Sequence, residues 1–164
     1  MTEGAKHRPI LAALGAAVLV AVLGGLSTDI GPWYQQLQKP SWQPPDWVFG
    51  PVWTLLYALA ALAGVWAWQA AHSAAERGNV LLLFSQNAAL NVLWSLLFFR
   101  LQRPDWALVE VGVLWASTGL LVVGIARLHR AAGAVLVPYW AWVSFAAVLN
   151  YAIVARNAPF GAGP

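Results

Sequence analysis

The stretch PSWQPPDWVFGPVW, residues 40–53, packs three tryptophans and four prolines between two long apolar segments of the chain. The apolar segments on either side predict two helices, with residues 29–50 as a long connector between them. Prolines fix backbone angles and remove hydrogen-bond donors, so they predict a connector that is stiff without regular secondary structure. Pro51 suits the first turn of the second helix. The stretch therefore predicts a rigid aromatic cover rather than a passive polar link.

The composition of the whole chain is that of a membrane protein. Of its 164 residues 60% are hydrophobic and only 9% are charged, which is more apolar surface than one soluble domain of this size can bury. Five apolar runs each reach the roughly 20 residues that a helix needs to cross a hydrocarbon core of about 30 Å. The predicted spans are 9–28, 51–71, 79–100, 105–127 and 132–155. The sequence predicts an all-α integral membrane bundle of five transmembrane helices, forming a single domain over residues 1–164.

Several kinds of chemistry are disfavoured by what the chain contains. It has no cysteine, so thiolate nucleophiles, disulfides and cysteine-ligated metals are excluded. His7, His72 and His129 are dispersed, so we expect no metal site and no obligatory cofactor. The basic residues are scattered over short connectors, and nucleic acid is not an expected partner. Lysine and arginine are nearly balanced between the two sides, which leaves the orientation in the membrane open.

The first span has small residues at helical spacing. Ala13, Ala17, Ala21 and Gly25 follow one another at steps of four. Small residues allow helices to approach closely in lipid. We read this stripe as a helix-packing face, and a dimer interface is the alternative.

Polar side chains inside the third and fourth spans mark a candidate site. Asn87, Asn91 and Trp94 lie on one face of the third span. Glu110 in the fourth is the only carboxylate that lies beyond the first residue of any span. Polar groups are costly inside a membrane and often mark a binding site there. The amides could instead bridge neighbouring helices, and both interpretations stay open. If Glu110 faces a pocket, we expect it to pair with an amide or with a ligand.

The fifth span repeats this pattern with Trp142, Ala146 and Asn150 at steps of four. Tryptophan usually lies at the membrane boundary. Trp94, Trp115 and Trp142, however, lie roughly 9 to 15 Å inside their spans at the rise of an α-helix. An interfacial belt does not account for that depth.

Antiparallel packing brings these residues to one membrane face, below the long connector. The residues expected to gather there are Trp53, Tyr57, Asn91, Trp94, Trp106, Glu110 and Asn150. Aromatic rings with a few amides suit a large, flat, mostly apolar ligand better than an ion or a sugar. The sequence therefore predicts a lidded pocket.

At these residues the chain resembles the tryptophan-rich sensory protein and translocator protein family, the TspO/MBR family, also called the peripheral-type benzodiazepine receptor family. The resemblance runs from Trp33 and Tyr34 through KPSWQPPDWVFGPVWTLLY, LNVLWSLLFF, WALVEV and VPYWAWVSFAAVLNY. It implies a bundle of five membrane helices, usually a homodimer, that binds porphyrins such as protoporphyrin IX or haem, sterols, and isoquinoline- or benzodiazepine-type compounds. It also implies a bacterial cell membrane, or the mitochondrial outer membrane in a eukaryote.

The resemblance assigns roles to individual residues. It implies an aromatic lid at Trp33 and Tyr34, and a role for Trp142 in light-dependent porphyrin breakdown. The pocket wall that it implies consists of Trp53, Tyr57, Asn91, Trp94, Trp106, Trp142 and Ala146. A sterol motif of the family is matched by Leu149, Tyr151 and Arg156, although tyrosine and arginine also serve as interfacial anchors at the end of a span.

The chain departs from the family pattern at two positions. Asn87 stands where a glutamine is common, and Leu96 stands where a proline often follows Trp94 and Ser95. A shorter amide and an unkinked third span are therefore expected to reshape the pocket. Three functions follow: a receptor or sensor, which we favour, a transporter of porphyrins or sterols, and a light-dependent porphyrin-degrading protein.

Overall fold

The computed structural model describes the backbone of residues 3–160 and the side chains of residues 11–160. In this part of the chain all regular secondary structure is helical, with no strand. The α-helices are α1 (Glu3–Ser27), α2 (Pro32–Gln36), α3 (Asp46–Ala70), α4 (Ala74–Ser95), α5 (Pro104–Leu128) and α6 (Arg130–Asn157). The last turns of α4 continue as a π-helix, Leu96–Arg100.

The five long helices form a closed ring. α1 packs against α3, α3 against α6, α6 against α5, α5 against α4, and α4 against α1. The tightest side of the ring joins α5 and α6, where Ala107, Val111, Leu136 and Val143 are almost completely buried. The position of α1 in this ring leaves space beside it, and two large cavities border that helix.

Local sequence signals fix where several helices begin. Ser73 and Glu76 form a capping box at the start of α4, since the Glu76 backbone N–H donates to Ser73 Oγ at 3.1 Å and the Ser73 N–H donates to Glu76 Oε2 at 3.1 Å. Pro104 occupies the first turn of α5, where a missing N–H costs nothing. The His129 ring accepts a hydrogen bond from the Ala132 N–H at 3.0 Å and caps α6. These short connectors keep α3 to α6 antiparallel to their chain neighbours.

The outer surface of the bundle is apolar. Val109 is 75% exposed and Leu120 is 63% exposed, and similar side chains cover the outside of the other long helices. Within the described residues, four helices are long and apolar enough to cross a membrane: α3, α4 with its π-helical extension, α5 and α6. The described part of α1 offers a shorter apolar stretch, Leu11–Ser27. The first predicted span, residues 9–28, thus stays a prediction.

The first connector differs from the sequence prediction in two ways. It ends at Pro45, because α3 begins at Asp46 rather than near residue 51. Pro45 has an extended backbone, so the helix cannot begin before it. The Asp46 carboxylate lies in the first turn, where its negative charge stabilises the positive end of the helix dipole. Pro51 therefore lies inside α3 and not in its first turn, and the connector contains the short helix α2 instead of lacking regular structure.

The end of α4 also differs from the expected regular helix. Leu96 begins five π-helical residues in place of a straight α-helical end, and the Leu101 N–H donates to the Leu96 carbonyl at 2.9 Å. Single π turns are frequent at functional sites because they redirect side chains. Here the π turn carries Phe98 and Phe99 toward the connector, where they meet Trp33 and Tyr34.

Candidate functional site

The first cavity lies between α1, α3, α4 and α6, next to the connector, and has a volume of about 440 Å³. Its size falls in the range of about 300–1,000 Å³ that is usual for small-molecule sites. The exposed residues on its lining belong to α1, to the first residues of the connector and to the beginning of α3; they are Ala21, Gly25, Thr28, Ile30, Gly50 and Thr54. The cavity therefore opens sideways between these two helices.

Aromatic rings form most of the inner wall of the first cavity. Trp142 packs against Phe49 with ring centroids 5.8 Å apart, and Trp94 packs against Phe98 at 5.2 Å. Trp53 stacks on Tyr57 at 5.4 Å and completes the wall on α3. Rings from three different helices and the π turn thus face one space, which suits a flat apolar molecule.

A chain of polar side chains closes the inner end of the first cavity. The Tyr57 hydroxyl donates to Asn91 Oδ1 at 2.7 Å, and Asn91 Nδ2 donates to the Tyr139 oxygen at 3.3 Å. The Tyr139 hydroxyl donates to Asn87 Oδ1 at 2.8 Å, and Asn87 Nδ2 donates to Thr118 Oγ1 at 2.9 Å. These bonds link α3, α4, α5 and α6 through groups that are mostly satisfied, so the amides do bridge helices as the alternative interpretation held.

A second polar link stands closer to the connector. Trp94 Nε1 donates to Asn150 Oδ1 at 3.1 Å, and Asn150 Nδ2 donates to the Pro104 carbonyl at 2.9 Å. Both Trp94 and Asn150 line the first cavity. Their hydrogen bonds hold the Trp94 ring in one orientation against the cavity.

The connector is fastened over the first cavity by a cluster of polar groups that we call the latch: Tyr34, Lys39, Gln43 and Asp46. The Tyr34 hydroxyl donates to Asp46 Oδ1 at 3.0 Å, and Gln43 Nε2 donates to the Tyr34 oxygen at 3.2 Å. Lys39 Nζ lies 3.7 Å from Asp46 Oδ2 and 3.7 Å above the Tyr34 ring. Burial and the neighbouring Asp46 carboxylate raise the pKa of Tyr34 well above its ordinary range.

Other contacts tie the connector to the tips of the helices. The Gln38 N–H donates to Asn157 Oδ1 at 2.8 Å, and Asn157 Nδ2 donates back to the Gln38 carbonyl at 3.0 Å, which joins the connector to the end of α6. Trp42 packs edge-on against Phe145 with centroids 5.9 Å apart. The Arg100 guanidinium donates to the carbonyl of Leu26 near the end of α1. The connector is therefore an ordered part of the bundle.

The structure brings most of the sequence-predicted ligand residues to the first cavity. These residues come from the connector, α3, α4 and α6. They are Tyr34, Trp53, Tyr57, Asn91, Trp94, Trp142, Ala146 and Asn150.

Four predicted residues do not line the first cavity. Trp33 packs against Phe98 on its outer side, with ring centroids 6.2 Å apart. Asn87 lies beyond the polar chain and borders a different cavity. Trp106 is 51% exposed and lies 4.1 Å from the Arg103 guanidinium. Glu110 is buried in α5 away from the cavity lining.

The three residues of the sterol motif do not share one location. Leu149 lines the first cavity, whereas Tyr151 is 64% exposed on the outside of α6. Arg156 donates to the Ala152 carbonyl of its own helix at 2.9 Å. Neighbouring positions of one helix point in different directions, so the motif does not describe a single pocket.

Several lining residues escaped the sequence analysis. Phe49, Phe98 and Phe99 are ordinary apolar residues in apolar runs, and nothing in their spacing singles them out. Gln43 and Asp46 lie within residues 40–53, but single polar residues in a proline-rich segment are common and give no sign of a site. The stripe of small residues on α1 was read as a packing face, yet its members border the two cavities.

Two polar atoms at the first cavity are buried without a hydrogen-bond partner among the described residues: Trp142 Nε1 and Gln43 Oε1. One is a donor and the other is an acceptor, so a bound molecule with a polar group of each kind would satisfy both. In the part of the chain that the structure describes, His, Cys, Asp and Glu side chains form no group that could hold a metal ion.

Comparison with known proteins agrees with this arrangement. A sequence model of the TspO/MBR family matches residues 12–156. The chain is 41% identical to a tryptophan-rich protein TspO of Chlorobaculum tepidum over 76% of this chain and 79% of the relative. It is 37% identical to a tryptophan-rich protein TspO of Archaeoglobus fulgidus over 91% of this chain and 97% of the relative.

The similarity extends to animal proteins. The chain is 36% identical to the translocator protein of Homo sapiens over 76% of this chain and 75% of the relative. The family match covers both the residues that line the first cavity and the connector above them. This protein belongs to the TspO/MBR family.

Proposed function

We propose that this protein is a membrane receptor or sensor that binds large, flat, mostly apolar molecules in the first cavity. The ligand classes are porphyrins such as protoporphyrin IX or haem, sterols, and isoquinoline- or benzodiazepine-type compounds. Membership in a family of tryptophan-rich sensory and translocator proteins supports a sensor or receptor role in a membrane. The observation that carries the choice of ligand is the wall of stacked and edge-on rings around the first cavity.

Among these classes, the side chains favour a flat ring system with polar groups at its edge. Phe49, Trp53, Trp94 and Trp142 offer ring faces and edges that match a planar aromatic molecule. Gln43 Oε1 can accept a hydrogen bond from a ligand, and Trp142 Nε1 can donate one, because both atoms are buried without a partner among the described residues. A porphyrin combines a planar apolar body with polar substituents, so it uses both features.

We also propose that α1 crosses the membrane, which brings the number of spans to five, and that ligands enter from the bilayer. The opening of the first cavity lies between α1 and α3, at a side of the ring where lipid would be the solvent if both helices cross the membrane. An apolar ligand dissolved in the bilayer could then reach the cavity without passing through water. This route is consistent with a connector that stays fastened by the latch.

The oligomeric state and the membrane belong to the same proposal. We expect a homodimer, as the resemblance to the TspO/MBR family implies, in a bacterial cell membrane. The similarity to the tryptophan-rich protein TspO of Chlorobaculum tepidum over most of the chain supports that choice of membrane. Light scattering from the protein in detergent micelles measures the mass of the assembly. A mass of one chain per particle would contradict the homodimer.

Titration of the purified protein with protoporphyrin IX tests the ligand proposal. The eleven tryptophans, several of them at the cavity, should report binding by fluorescence quenching that saturates at one ligand per chain. Phe49→Ala removes a cavity ring and should weaken binding, whereas Trp47→Phe changes a residue that is 74% exposed and should not. Quenching that never saturates, or that is the same in all three proteins, would reject specific binding in the cavity.

Light-dependent porphyrin degradation is a second candidate, favoured by the position of Trp142. Its ring lines the first cavity, and its N–H is unpaired, so an indole would stand directly beside a photoexcited macrocycle. Trp142→Phe should abolish degradation under illumination while changing affinity by less than about tenfold, or about 1.4 kcal/mol. Unchanged product formation in that variant would exclude the role of Trp142.

Uptake by proteoliposomes discriminates a transporter from a receptor. A receptor needs only the cavity, whereas a transporter must move porphyrin or sterol to the far side. Tyr57 and Asn91 close the inner end of the first cavity, which favours the receptor. Protein-dependent accumulation of porphyrin inside the vesicles would favour the transporter instead.

A further inference from the structure

A second cavity lies on the other side of the Tyr57–Asn91 hydrogen bond. It is larger than the first, about 660 Å³, and lies between α1, α3 and α4. Tyr57 and Asn91 line both cavities, so these two side chains form the partition between them. Nothing in the function proposed above uses this second space.

The lining of the second cavity is mostly apolar, and many of its residues are small. Ala13 and Ala17 of α1 face Gly64 of α3 and Ala88 of α4 across it. The amides at the partition are engaged with each other and with tyrosines, and Ser85 donates to the Leu81 carbonyl of its own helix at 2.7 Å. The occupant of such a space needs no hydrogen bond, which favours hydrocarbon.

The shape of the second cavity favours a chain over a flat ring. Along α3 it extends from Tyr57 to Trp68, a distance of about 16 Å at helical rise. One leaflet of a hydrocarbon core of about 30 Å is about 15 Å thick. The cavity therefore has the length of one lipid leaflet, with the partition at its deep end.

The opening of the second cavity lies between α1 and α4 on the outer surface of the bundle, which the bilayer covers if both helices cross the membrane. Its exposed lining residues are Ala12, Ala16, Leu81 and Ser85, all on these two helices, whereas those on α3 are at least partly buried. This is a different opening from that of the first cavity, which lies between α1 and α3. A chain of a neighbouring lipid could thus enter sideways without disturbing the first cavity.

The shallow end of the second cavity carries a cation. The Arg77 guanidinium lies 5.4 Å from the ring of Trp68, which lines the cavity. Arg77 itself is exposed at the start of α4 and forms no ion pair with any residue from 11 to 160. A tryptophan and an arginine at the end of an apolar slot match the headgroup level of a bilayer, where arginine attracts phosphate.

We propose that the second cavity is a phospholipid site, in which one acyl chain fills the space between α1, α3 and α4 and the phosphate lies at Arg77. The apolar lining recognises the chain, and the free guanidinium recognises the phosphate. The lipid is then a structural partner that fills the gap beside α1. Its site is separate from the first cavity, and its existence does not depend on which ligand the first cavity binds.

Two neighbouring alanines of α4 provide a matched test of chain binding. Ala88 lines the second cavity, whereas Ala89 is exposed and lines neither cavity. The delipidated protein is titrated with phosphatidylglycerol in micelles, and lipid bound per chain is counted by native mass spectrometry. Ala88→Leu overpacks the slot and should weaken binding at least about fivefold, while Ala89→Leu stays within about twofold of wild type.

A second variant, on another helix, keeps the test valid if Ala88→Leu fails to fold. Ala13→Leu fills the same slot from α1 and should weaken phosphatidylglycerol binding in the same way, with helical content unchanged by circular dichroism. Equal lipid binding by wild type, Ala88→Leu and Ala89→Leu would overturn the proposal. A change in the mass of the assembly with no change in bound lipid would also overturn it, because the slot would then be covered by a second copy of the chain.

The headgroup contact is tested with Arg77→Gln and an uncharged probe. Wild type should bind phosphatidylglycerol several-fold more tightly than diacylglycerol, which has the same chains and no phosphate. Arg77→Gln should remove this preference and leave diacylglycerol binding unchanged. If wild type binds both lipids equally, the assignment of phosphate to Arg77 is wrong.

Discussion

The side chain of Glu110 lies buried in α5, and neither carboxyl oxygen has a hydrogen-bond partner among the described residues. Buried polar groups without partners reduce stability, and replacing them by apolar groups of similar shape is often stabilising. Glu110→Leu should therefore raise the free energy of unfolding by about 1–3 kcal/mol, measured by denaturation in one kind of micelle.

Glu110→Gln is the control for this prediction, since it keeps a polar group in the same place and should gain less. A loss of stability in Glu110→Leu would contradict the account. It would mean that the carboxyl has a partner, such as a ligand or a water molecule, and would restore the sequence-based expectation that Glu110 pairs at a site.

For single residues, the sequence predicted which residue types form the site better than it predicted which way each side chain faces. Asn91, Trp94 and Asn150 were identified because polar and deep aromatic side chains are unusual within spans, and all of them line the first cavity. Glu110 satisfied the same criterion but does not line this cavity. Trp106, expected there from its membrane face and from the family resemblance, does not line it either. Spacing along one helix defines a face, whereas the rotation of that helix depends on neighbours that a single sequence does not show.

The connector between α1 and α3 supplies part of the lining of the first cavity, including Tyr34 and Gln43, so its order affects how firmly a bound ligand is held. Tyr34→Phe removes the hydrogen bond to Asp46 and keeps the ring that packs against Phe99 at 5.6 Å. Loss of one bond to a carboxylate should speed porphyrin dissociation by about threefold to tenfold, or about 0.7–1.4 kcal/mol. Tyr151→Phe, at a residue 64% exposed, is the matched control.

The pH dependence follows from the same latch. Because burial and Asp46 raise the pKa of Tyr34, its hydroxyl keeps the donated proton through neutral and mildly alkaline solution. The wild-type dissociation rate should therefore be the same at pH 7 and pH 9. A rate that rises between these values in wild type but not in Tyr34→Phe would show that the hydroxyl ionises in this range.

The prolines of the connector make a separate contribution. Pro44 and Pro45 restrict the chain before a ligand arrives, so less ordering entropy is lost on binding. Replacing both with Gly should leave the helical content unchanged by circular dichroism and should accelerate dissociation of protoporphyrin IX in the same lipid. Identical dissociation rates would mean that the fastening contacts alone hold the connector in place.

The sequence predicted this element in outline and missed its details. Its length, rigidity and aromatic content were visible in residues 40–53. Its end at Pro45 was misplaced, because the apolar pattern resumes only after several residues of α3 have already formed. The π turn that begins at Leu96 was also missed, since no local sequence signal distinguishes it from an ordinary helix end.

At the scale of the whole molecule, the two cavities result from the way α1 joins the ring. α5 and α6 pack tightly, whereas α1 presents alanines and glycines to its neighbours. Small residues permit close approach, but here they border space. The length and apolarity of the long helices were evident from the sequence, while the gap beside α1 depends on how the helices fit together.

The central claim is that ligands bind in the first cavity, and two alanines of α6 test it most directly. Ala146 lines this cavity, whereas Ala141 is exposed and lines neither cavity. The measurement is the dissociation constant of protoporphyrin IX for wild type, Ala146→Leu and Ala141→Leu in the same lipid. The account predicts at least about fivefold weaker binding in Ala146→Leu and wild-type binding in Ala141→Leu, because only the first variant overpacks the cavity. Equal dissociation constants for all three proteins would place the ligand elsewhere and contradict the account.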